Sequence, residues 1–342
     1  MTSFPSPADA VDALLELSIV GSFSRIGPLV RRRLDGWTEP PPGVLRGRTV
    51  LITGPTSGLG RAAAERLAAL GARLVLVGRD PDRLAALLDD LAARHREGRF
   101  VAVVADMGSL ESVAGAAERI LKSEPRLDVL IDNAGAIFHE RHLTPDGIEA
   151  TFATLVVGPF AFIGGLLPIL RATPGARVVS VTSGGQYAQR LDLDDLESAH
   201  QPYAGTRAYA RAKRAQVGLV REWARRLGPT GIRLNAMHPG WTDTPGLAEA
   251  LPAFHRLMRP ILRTPAEGID TLVWLATAPA AGGAGGDLFL DRRARPFDRA
   301  TQTRLSRADH RRLWDEVVAR SGRPDPAPDV RITTTNPTRS TR

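Results

Sequence analysis

The sequence predicts an α/β protein: a doubly wound, mainly parallel sheet of seven strands with helices on both faces, built as a single domain. Three observations lead there. From Gly47 onward, short apolar runs alternate with longer amphipathic stretches, the pattern of buried parallel strands joined by crossover helices. The first of these runs passes straight into a glycine-rich turn and an alanine-rich helical stretch. The chain has 342 residues, 43% hydrophobic and 24% charged, enough for a large core. It has no cysteine to staple or ligate a smaller one, and no metal site is expected.

Taken in order, residues 1–46 form an N-terminal arm. Its apolar stretch from Val11 to Val30 is interrupted by Asp12, Glu16 and Arg25. A spanning helix needs about 20 predominantly apolar residues, so this is not one. Nor is it a secretory signal, because the basic cluster Arg31, Arg32 and Arg33 follows the apolar run. A short amphipathic helix packed on the domain is expected, with rest on a membrane surface as the alternative. Pro40, Pro41, Pro42 and Gly43 then link the arm to a domain over residues 47–320. Val50 to Thr53, Leu74 to Val77, Phe100 to Val104, Val129 to Ile131, Val178 to Val181 and Ile232 to Met237 read as strands, and Leu288 to Leu290 as a last, weaker one. Residues 321–342 are rich in Pro, Thr and Arg and carry too little apolar surface to fold alone, so a disordered tail is expected there.

Forty-five Lys+Arg against 37 Asp+Glu give a net charge of +8, which suits nucleic acid, an anionic membrane or a phosphorylated cofactor without choosing among them. Only Lys122 and Lys213 are lysines. Wherever a positive charge merely solvates, this chain uses arginine.

The first strand leads into Thr53-Gly54-Pro55-Thr56-Ser57-Gly58-Leu59-Gly60, followed by the helix from Arg61 to Leu70. Glycines at this junction let the backbone turn tightly and approach a pyrophosphate, which the free N–H groups and dipole of the helix N-terminus stabilise. A flexible loop is the plain alternative, but the strand before and the helix after are the context the motif requires. Thr53, Gly54, Ser57, Gly58, Leu59 and Gly60 are therefore candidate cofactor residues. The second strand ends Val77-Gly78-Arg79. An NAD site presents an acidic residue here to the ribose 2′-hydroxyl; Gly78 cannot, whereas Arg79 can pair with a 2′-phosphate. NADP(H) is expected over NAD(H), with Asp80 placed to blunt the effect of Arg79.

On a helical wheel, Arg207, Arg211, Arg214, Arg221 and Arg225 fall in one stripe, read as a solvated face. The opposite face carries Ala212, Val217, Val220, Trp223, Ala224 and Leu227, and among them Tyr209 and Lys213. A lysine on an apolar face is costly unless paired or functional. Tyr209 and Lys213 are i and i+4, hence neighbours. A nearby ammonium favours phenolate, each pKa unit needing about 1.4 kcal/mol, so the pair can supply a general acid or base near neutrality. A snorkelling lysine beside a core tyrosine is the plain alternative, weakened by the scarcity of lysine. Ser183 follows the fifth strand, where ligands of doubly wound sheets bind, so its hydroxyl can meet a substrate oxygen or only open a glycine turn.

Together, Thr53-Gly54-x-x-x-Gly58-x-Gly60, Asn133-Ala134-Gly135, Ser183, Tyr209-x-x-x-Lys213 and Pro239-Gly240 resemble the short-chain dehydrogenase/reductase superfamily, over about residues 47–290 and in its order. Val181-Thr182-Ser183-Gly184-Gly185, the stretch from Met237 to Gly246, Trp274-Leu275-Ala276 and Asp291-Arg292-Arg293 resemble a narrower group within it, the one designated family member twelve. The resemblance implies a Rossmann-type fold and hydride transfer between a nicotinamide and a carbonyl or alcohol. It implies that Gly54, Gly58 and Gly60 line the pyrophosphate and that Asp106 contacts the adenine, a helix cap being the alternative for Asp106. Asn133, Ala134 and Gly135 would support the central strand and the cofactor. Tyr209 would give or take the proton, Lys213 would hold the nicotinamide ribose and lower the tyrosine pKa, and Ser183 would orient the carbonyl. Thr244, after Pro239 and Gly240, would bind the carboxamide.

One position departs from the family. Phe152-Ala153-Thr154-Leu155-Val156-Val157-Gly158 carries leucine where the family has an asparagine that completes a proton relay. Leucine neither donates nor accepts a hydrogen bond. Three readings follow: a relay rerouted through Thr154, a slow enzyme, or an NADP(H)-binding protein that has lost its chemistry. Asp132, in place of the common asparagine before Asn133, is a milder change.

A long segment containing Leu191 to Leu196 lies between Ser183 and Tyr209, and after Pro239-Gly240 comes another whose Leu247, Leu251, Phe254, Leu257, Met258 and Ile261 are amphipathic enough to form a lid over a lipophilic substrate, with simple packing on the sheet as the alternative. The expected partner is a small carbonyl or alcohol. No specific nucleic acid is expected, since no aromatic interleaves the arginines. The protein is expected in the cytoplasm, with weak peripheral membrane contact as a further option. A homodimer fits the family, although the arginine stripe would repel its symmetry mate.

Overall fold

The structure is a computed structural model and describes residues 6–328 apart from 280, 282 and 284. The arm forms α1 (Pro7–Leu17), α2 (Ile19–Phe23) and α3 (Ile26–Leu34). The single helix expected over Val11 to Val30 is thus broken in two places. Ser18 is extended and accepts the Gly21 N–H at 3.0 Å, so it ends one helix and caps the next. Ser24, also extended, ends α2.

The sheet has eight strands in the order β3-β2-β1-β4-β5-β6-β7-β8. They are β1 (Thr49–Thr53), β2 (Arg73–Gly78), β3 (Phe100–Val104), β4 (Val129–Asp132), β5 (Arg177–Val181), β6 (Arg233–Met237), β7 (Leu288–Leu290) and β8 (Arg293–Arg295). The first seven pair in parallel, and β8 adds an antiparallel edge that corrects the expected count of seven. The chain reverses its winding between β1 and β4. That switch point is where open α/β sheets bind ligands.

Helices cover both faces. One face carries α4 (Gly58–Ala69), α5 (Pro81–Arg94) and α12 (Pro265–Thr277) over Val50, Ile52, Leu74 and Leu76. The other carries α6 (Leu110–Ser123), α7 (Ala150–Phe152), α8 (Gly158–Ala172) and α9 (Gly205–Leu227) over Leu51, Val75, Leu130 and Val178. A π-helical turn, Ala153–Val157, joins α7 to α8. The stretch from Ala150 to Ala172 is long and apolar enough to cross a membrane by composition, but here it is largely buried in this second layer. Two short surface helices, α10 (Pro245–Ala250) and α11 (Pro252–Met258), follow β6, and α13 (Arg307–Ser321) closes the described chain against α9.

The β7–β8 hairpin turns on Asp291 and Arg292, both left-handed at φ 53° and 57°. Asn-Gly or Asp-Gly is the usual sequence for such a turn, which is why β8 was not legible. Two side chains other than glycine hold this conformation because each is anchored. The Arg292 guanidinium meets Asp270 at 2.8 Å through both Nε and Nη2. The Asp291 carboxylate takes Arg263 Nη1 at 2.6 Å and Nη2 at 2.9 Å, and Arg31 Nη1 at 2.5 Å.

Arg31, on the arm, is fully buried, and it extends this cluster to Asp12 (2.6 Å) and Glu16 (2.6 Å). Asp12 also takes Arg295 at 2.6 and 2.9 Å, and Glu16 takes Arg299 at 2.5 Å. Although burial raises the Asp12 pKa, Arg295 and Arg31 hold it down at about 2. A planar five-donor fork suits such shared, two-sided pairing better than an ammonium, which accounts for arginine here. The arm is thereby latched to the core.

The arginine stripe on α9 is not a solvated face throughout. Arg214 is 2% exposed and donates to Gln186 Oε1 (2.7 Å), Phe297 O (2.6 Å) and Thr303 O (2.6 Å), and pairs with Asp298. The Arg221 guanidinium lies 4.7 Å from the Phe297 ring centroid. The segment after β8 folds over this part of the stripe and neutralises Arg214 through Asp298, while Arg221 and Arg225 remain exposed. Residues 322–328 of the expected tail lie among the described residues. Asp325 pairs with Arg226 (3.1 Å) and accepts from Trp314 Nε1 (3.1 Å), and Ala327 is buried. The rest of the expected tail, residues 329–342, lies outside the described residues.

Candidate active site

The glycine-rich turn lies at the switch point. Gly54 is left-handed (φ 65°), and a Cβ there would stand 2.9 Å from the Ala134 backbone. A Cβ on Gly60 would stand 2.0 Å from Gly54 O and 2.6 Å from Asn133 Nδ2. Only bare backbone fits, and Ser57 at the N-cap of α4 makes no side-chain cap bond. Such a cradle at a helix N-terminus fits a pyrophosphate. The Thr53 hydroxyl, by contrast, is buried and accepts from Asn133 N and Ala134 N at 2.9 Å each, and Asn133 Nδ2 donates to Thr53 O (3.0 Å) and Gly54 O (3.2 Å). These two side chains lock β1 to β4 and shape the turn from behind.

Arg79 is exposed at the end of β2. Asp80, placed by sequence to offset it, instead caps α5, accepting from Asp82 N (3.1 Å) and Arg83 N (3.0 Å). Asp106 is exposed after β3, its Oδ1 accepting the Gly108 N–H at 2.8 Å. The N-cap of α6 is Ser109, so the helix-cap alternative for Asp106 fails. Thr244 caps α10 by accepting the Leu247 N–H at 3.2 Å, and it faces the cradle, 3.5 Å from where a Cβ of Gly58 would be. Gly135 lies against Leu155, Ser57 precedes α4, and Leu59 reaches toward Gly268 of α12.

Ser183, Tyr209 and Lys213 converge beyond β5. Ser183 opens a 3₁₀ turn, accepting the Gly185 N–H at 3.2 Å, and its side chain lies near enough to the Tyr209 phenol to oppose the effect of burial there. The turn-opening reading of Ser183 is thus seen directly. Burial pushes the Tyr209 phenol up to about 12, opposed by Ser183. Lys213, 2% exposed, donates to Val181 O (2.8 Å) and Gln216 Oε1 (3.2 Å), and its Nζ lies 5.8 Å from the Tyr209 ring centroid. The expected lowering of the tyrosine pKa by Lys213 is not what this geometry gives, because the ammonium is turned to the strand. Burial brings Lys213 itself down to about 8, with Asp132 opposing.

Thr154 does not take the place of the family's asparagine beside Lys213: its hydroxyl lies against Gly108. Sequence reasoning passed over Gln216, although a polar residue three positions after Lys213 on the apolar face was a readable signal. It also missed Phe23. That arm residue packs its ring on Gly184, where a Cβ would approach to 2.4 Å, and 4.7 Å from the ring of His238. The Phe23 carbonyl accepts the Trp241 N–H at 2.8 Å, and the Trp241 ring meets Phe254 of α11 edge-on at 5.1 Å. None of the residues of α10 or α11 is buried, and Leu257 is 78% exposed, so these helices do not simply pack on the sheet. Leu191 and Leu196 do enter the core.

A protein-family model described as short chain dehydrogenase matches residues 48–253, and with this fold and glycine cradle the chain belongs to the short-chain dehydrogenase family. It is an NAD(P)-dependent oxidoreductase of that family. Among its relatives is dehydrogenase/reductase SDR family member 12 of Bos taurus, 38% identical over 251 residues, 73% of this chain and 78% of that protein. Retinol dehydrogenase 14 of Homo sapiens is 34% identical over 311 residues, 85% of this chain and 90% of its own. A short chain dehydrogenase structure from Escherichia coli CFT073, complexed with NADPH, matches at a TM-score of 0.60 with 25% identity, over 74% of this chain and all of that one.

Proposed function

We propose that this chain is an NADP(H)-dependent reductase or dehydrogenase of a lipophilic carbonyl or alcohol. The observation that carries this reading is the convergence of Ser183, Tyr209 and Lys213 beside the glycine cradle. Gly54, Ser57, Gly58, Leu59 and Gly60 would hold the pyrophosphate, and Thr53, Asn133, Ala134 and Gly135 would keep the cradle in shape. Asp106 would meet the adenine and Thr244, after Pro239 and Gly240, the carboxamide. When bound, the nicotinamide supplies or accepts the hydride. Ser183 orients the substrate oxygen and Tyr209 delivers its proton. Lys213 has three donors, two of them used by Val181 and Gln216, which leaves one for a ribose hydroxyl.

The aromatic run Phe23–Trp241–Phe254 and the exposed Leu251 and Leu257 support a lipophilic substrate. Arg79, with Asp80 engaged in capping, supports NADP(H) over NAD(H). Arg79→Asp is expected to lower the NADPH-to-NADH preference at least about tenfold, the loss of one charge-assisted phosphate contact. Titrating both cofactors by fluorescence checks this, and an unchanged ratio would sink the assignment. We place the enzyme in the cytoplasm. Leu14 and Leu17 of the arm, 67% and 83% exposed, support a shallow membrane contact. Salt-sensitive sedimentation with acidic vesicles is the expected result, and a protein left wholly in the supernatant at low salt rejects it.

A further inference from the structure

The chain departs from its family at Leu155 and at Asp132, and the structure brings the two together around one small cavity of about 20 Å³, lined also by Ser180, Gln216 and Trp223. Leu155 is fully buried on the π-helical turn and offers Lys213 no polar group. Polar groups reach Lys213 from elsewhere. Its Nζ donates to Gln216 Oε1 at 3.2 Å, and Gln216 Nε2 donates to Asp132 Oδ2 at 2.8 Å. Ser180 Oγ donates to the same carboxylate oxygen at 2.8 Å.

The orientation of the Gln216 amide follows from chemistry. An ammonium can only donate and a carboxylate can only accept, so oxygen must face Lys213 and nitrogen must face Asp132. Asp132 and Gln216 are at most 5% exposed. Burial pushes the Asp132 carboxyl up, opposed by the Lys213 charge and by the hydrogen bonds from Ser180 and Gln216, and a buried carboxylate persists as an ion only through such pairing. Among the described residues, Lys213 is the one charge that acts on Asp132, and Asp132 the one that acts on Lys213. The remaining titratable group beside Lys213 is Tyr209, a neutral phenol; the other cavity-lining groups from α8, β6 and α9 are apolar.

We propose that Gln216 and Asp132 form an internal anchor that keeps Lys213 charged and fixed beside Tyr209, in place of the asparagine that the family carries at Leu155. Both are positioning residues, and the inference rests on the reading of Tyr209 and Lys213 given above. It also accounts for the paired departures. The carboxylate supplies from within the sheet the charge balance that a polar residue at position 155 cannot.

Because the chain has only two lysines, NMR of protein labelled with ¹³C at the lysine ε-carbon gives two resonances, with Lys122 as the exposed reference. In the wild-type protein Lys213 is expected to titrate near 8. Asp132→Asn removes the countercharge, so the ammonium is less favoured and the midpoint is expected to fall by about one pH unit or more. A midpoint unchanged within about 0.3 unit overturns the anchor, whatever the activity. In turnover with NADPH, Gln216→Met, which keeps the volume, is expected to lower kcat about 10- to 100-fold with the carbonyl KM little changed. Adding Leu155→Asn to Gln216→Met is expected to recover most of that loss; if it recovers none while both proteins bind NADPH and melt as the wild type does, the substitution of one device for the other is wrong. Wild-type turnover that vanishes in Tyr209→Phe reports on the function itself. An inactive wild type therefore rejects that reading, while the lysine titration still decides the anchor.

Discussion

Tyr209→Phe is expected to lower kcat for NADPH-dependent carbonyl reduction by about 10²- to 10⁴-fold, the range that one general acid contributes. NADPH affinity should stay within about threefold, because the phenol oxygen is the only atom removed and the cradle around Gly54 and Gly60 is untouched. The direction follows from the local electrostatics. Burial raises Tyr209 to about 12, so at neutral pH it is a phenol, charged with a proton to give to a developing alkoxide. Ser183, held by its bond from the Gly185 N–H, stays in place to meet the carbonyl oxygen. Stopped-flow monitoring of NADPH oxidation over a panel of lipophilic aldehydes and ketones measures the loss. A variant that keeps a tenth or more of the wild-type rate would remove Tyr209 from the chemistry. Cofactor binding without turnover in the wild type across that panel would favour the alternative that Leu155 suggests, a nucleotide-binding protein without catalysis.

Asp291→Asn is expected to destabilise the protein by about 3–5 kcal/mol, the cost of breaking a buried ionic cluster by removing one member. Asparagine tolerates the left-handed backbone at φ 53°, so the turn itself is conserved and the loss reports on the charge. Arg31 and Arg263, both within 1% of complete burial, would be left short of a countercharge. Urea unfolding measures the total, and hydrogen exchange separates its parts. Exchange over residues 6–34 is expected to accelerate more than exchange in β1, β4 and β5, because the arm is held by the cluster and the strands by their own core. Uniform acceleration, or a loss below about 1 kcal/mol, would show that the arm is held by other means.

Much of the fold was legible because strands buried on both faces leave continuous apolar runs. Seven of them could be read to within a residue or two from Val50, Leu74, Phe100, Val129, Val178, Ile232 and Leu288. The eighth strand could not, since Arg293-Ala294-Arg295 has no apolar pattern and its turn lacks glycine. It is held by ionic partners more than 250 positions distant in sequence, such as Asp35 for Arg293 and Asp12 for Arg295. The arginine stripe was misread for the same reason. A helical wheel gives the direction of Arg214 but not the segment around Phe297 that receives it. In the candidate site, the cradle, Ser183, Tyr209 and Lys213 carry local motifs and are legible, and Asp132 is legible as a departure from the family, though its contact with Gln216 is not. Gln216 and Phe23 act through contacts between elements. Of these, only Gln216 left a trace in the helical pattern, as a polar side chain on an apolar face.

The latch between the arm and the β7–β8 hairpin joins positions 260 residues apart, Arg31 to Asp291. Contacts of that separation form late, because the intervening chain must first be ordered. A ribosome releases the arm before the nucleotide-binding strands and the hairpin after them. During synthesis, therefore, Arg31, Asp12 and Glu16 wait in water while those strands assemble, and the wall that Phe23 builds beside Gly184 and Trp241 is completed only once the hairpin has emerged. The cradle can thus be ready for its dinucleotide before the substrate side of the site exists, and cofactor present during synthesis would favour the folded partner onto which the arm closes.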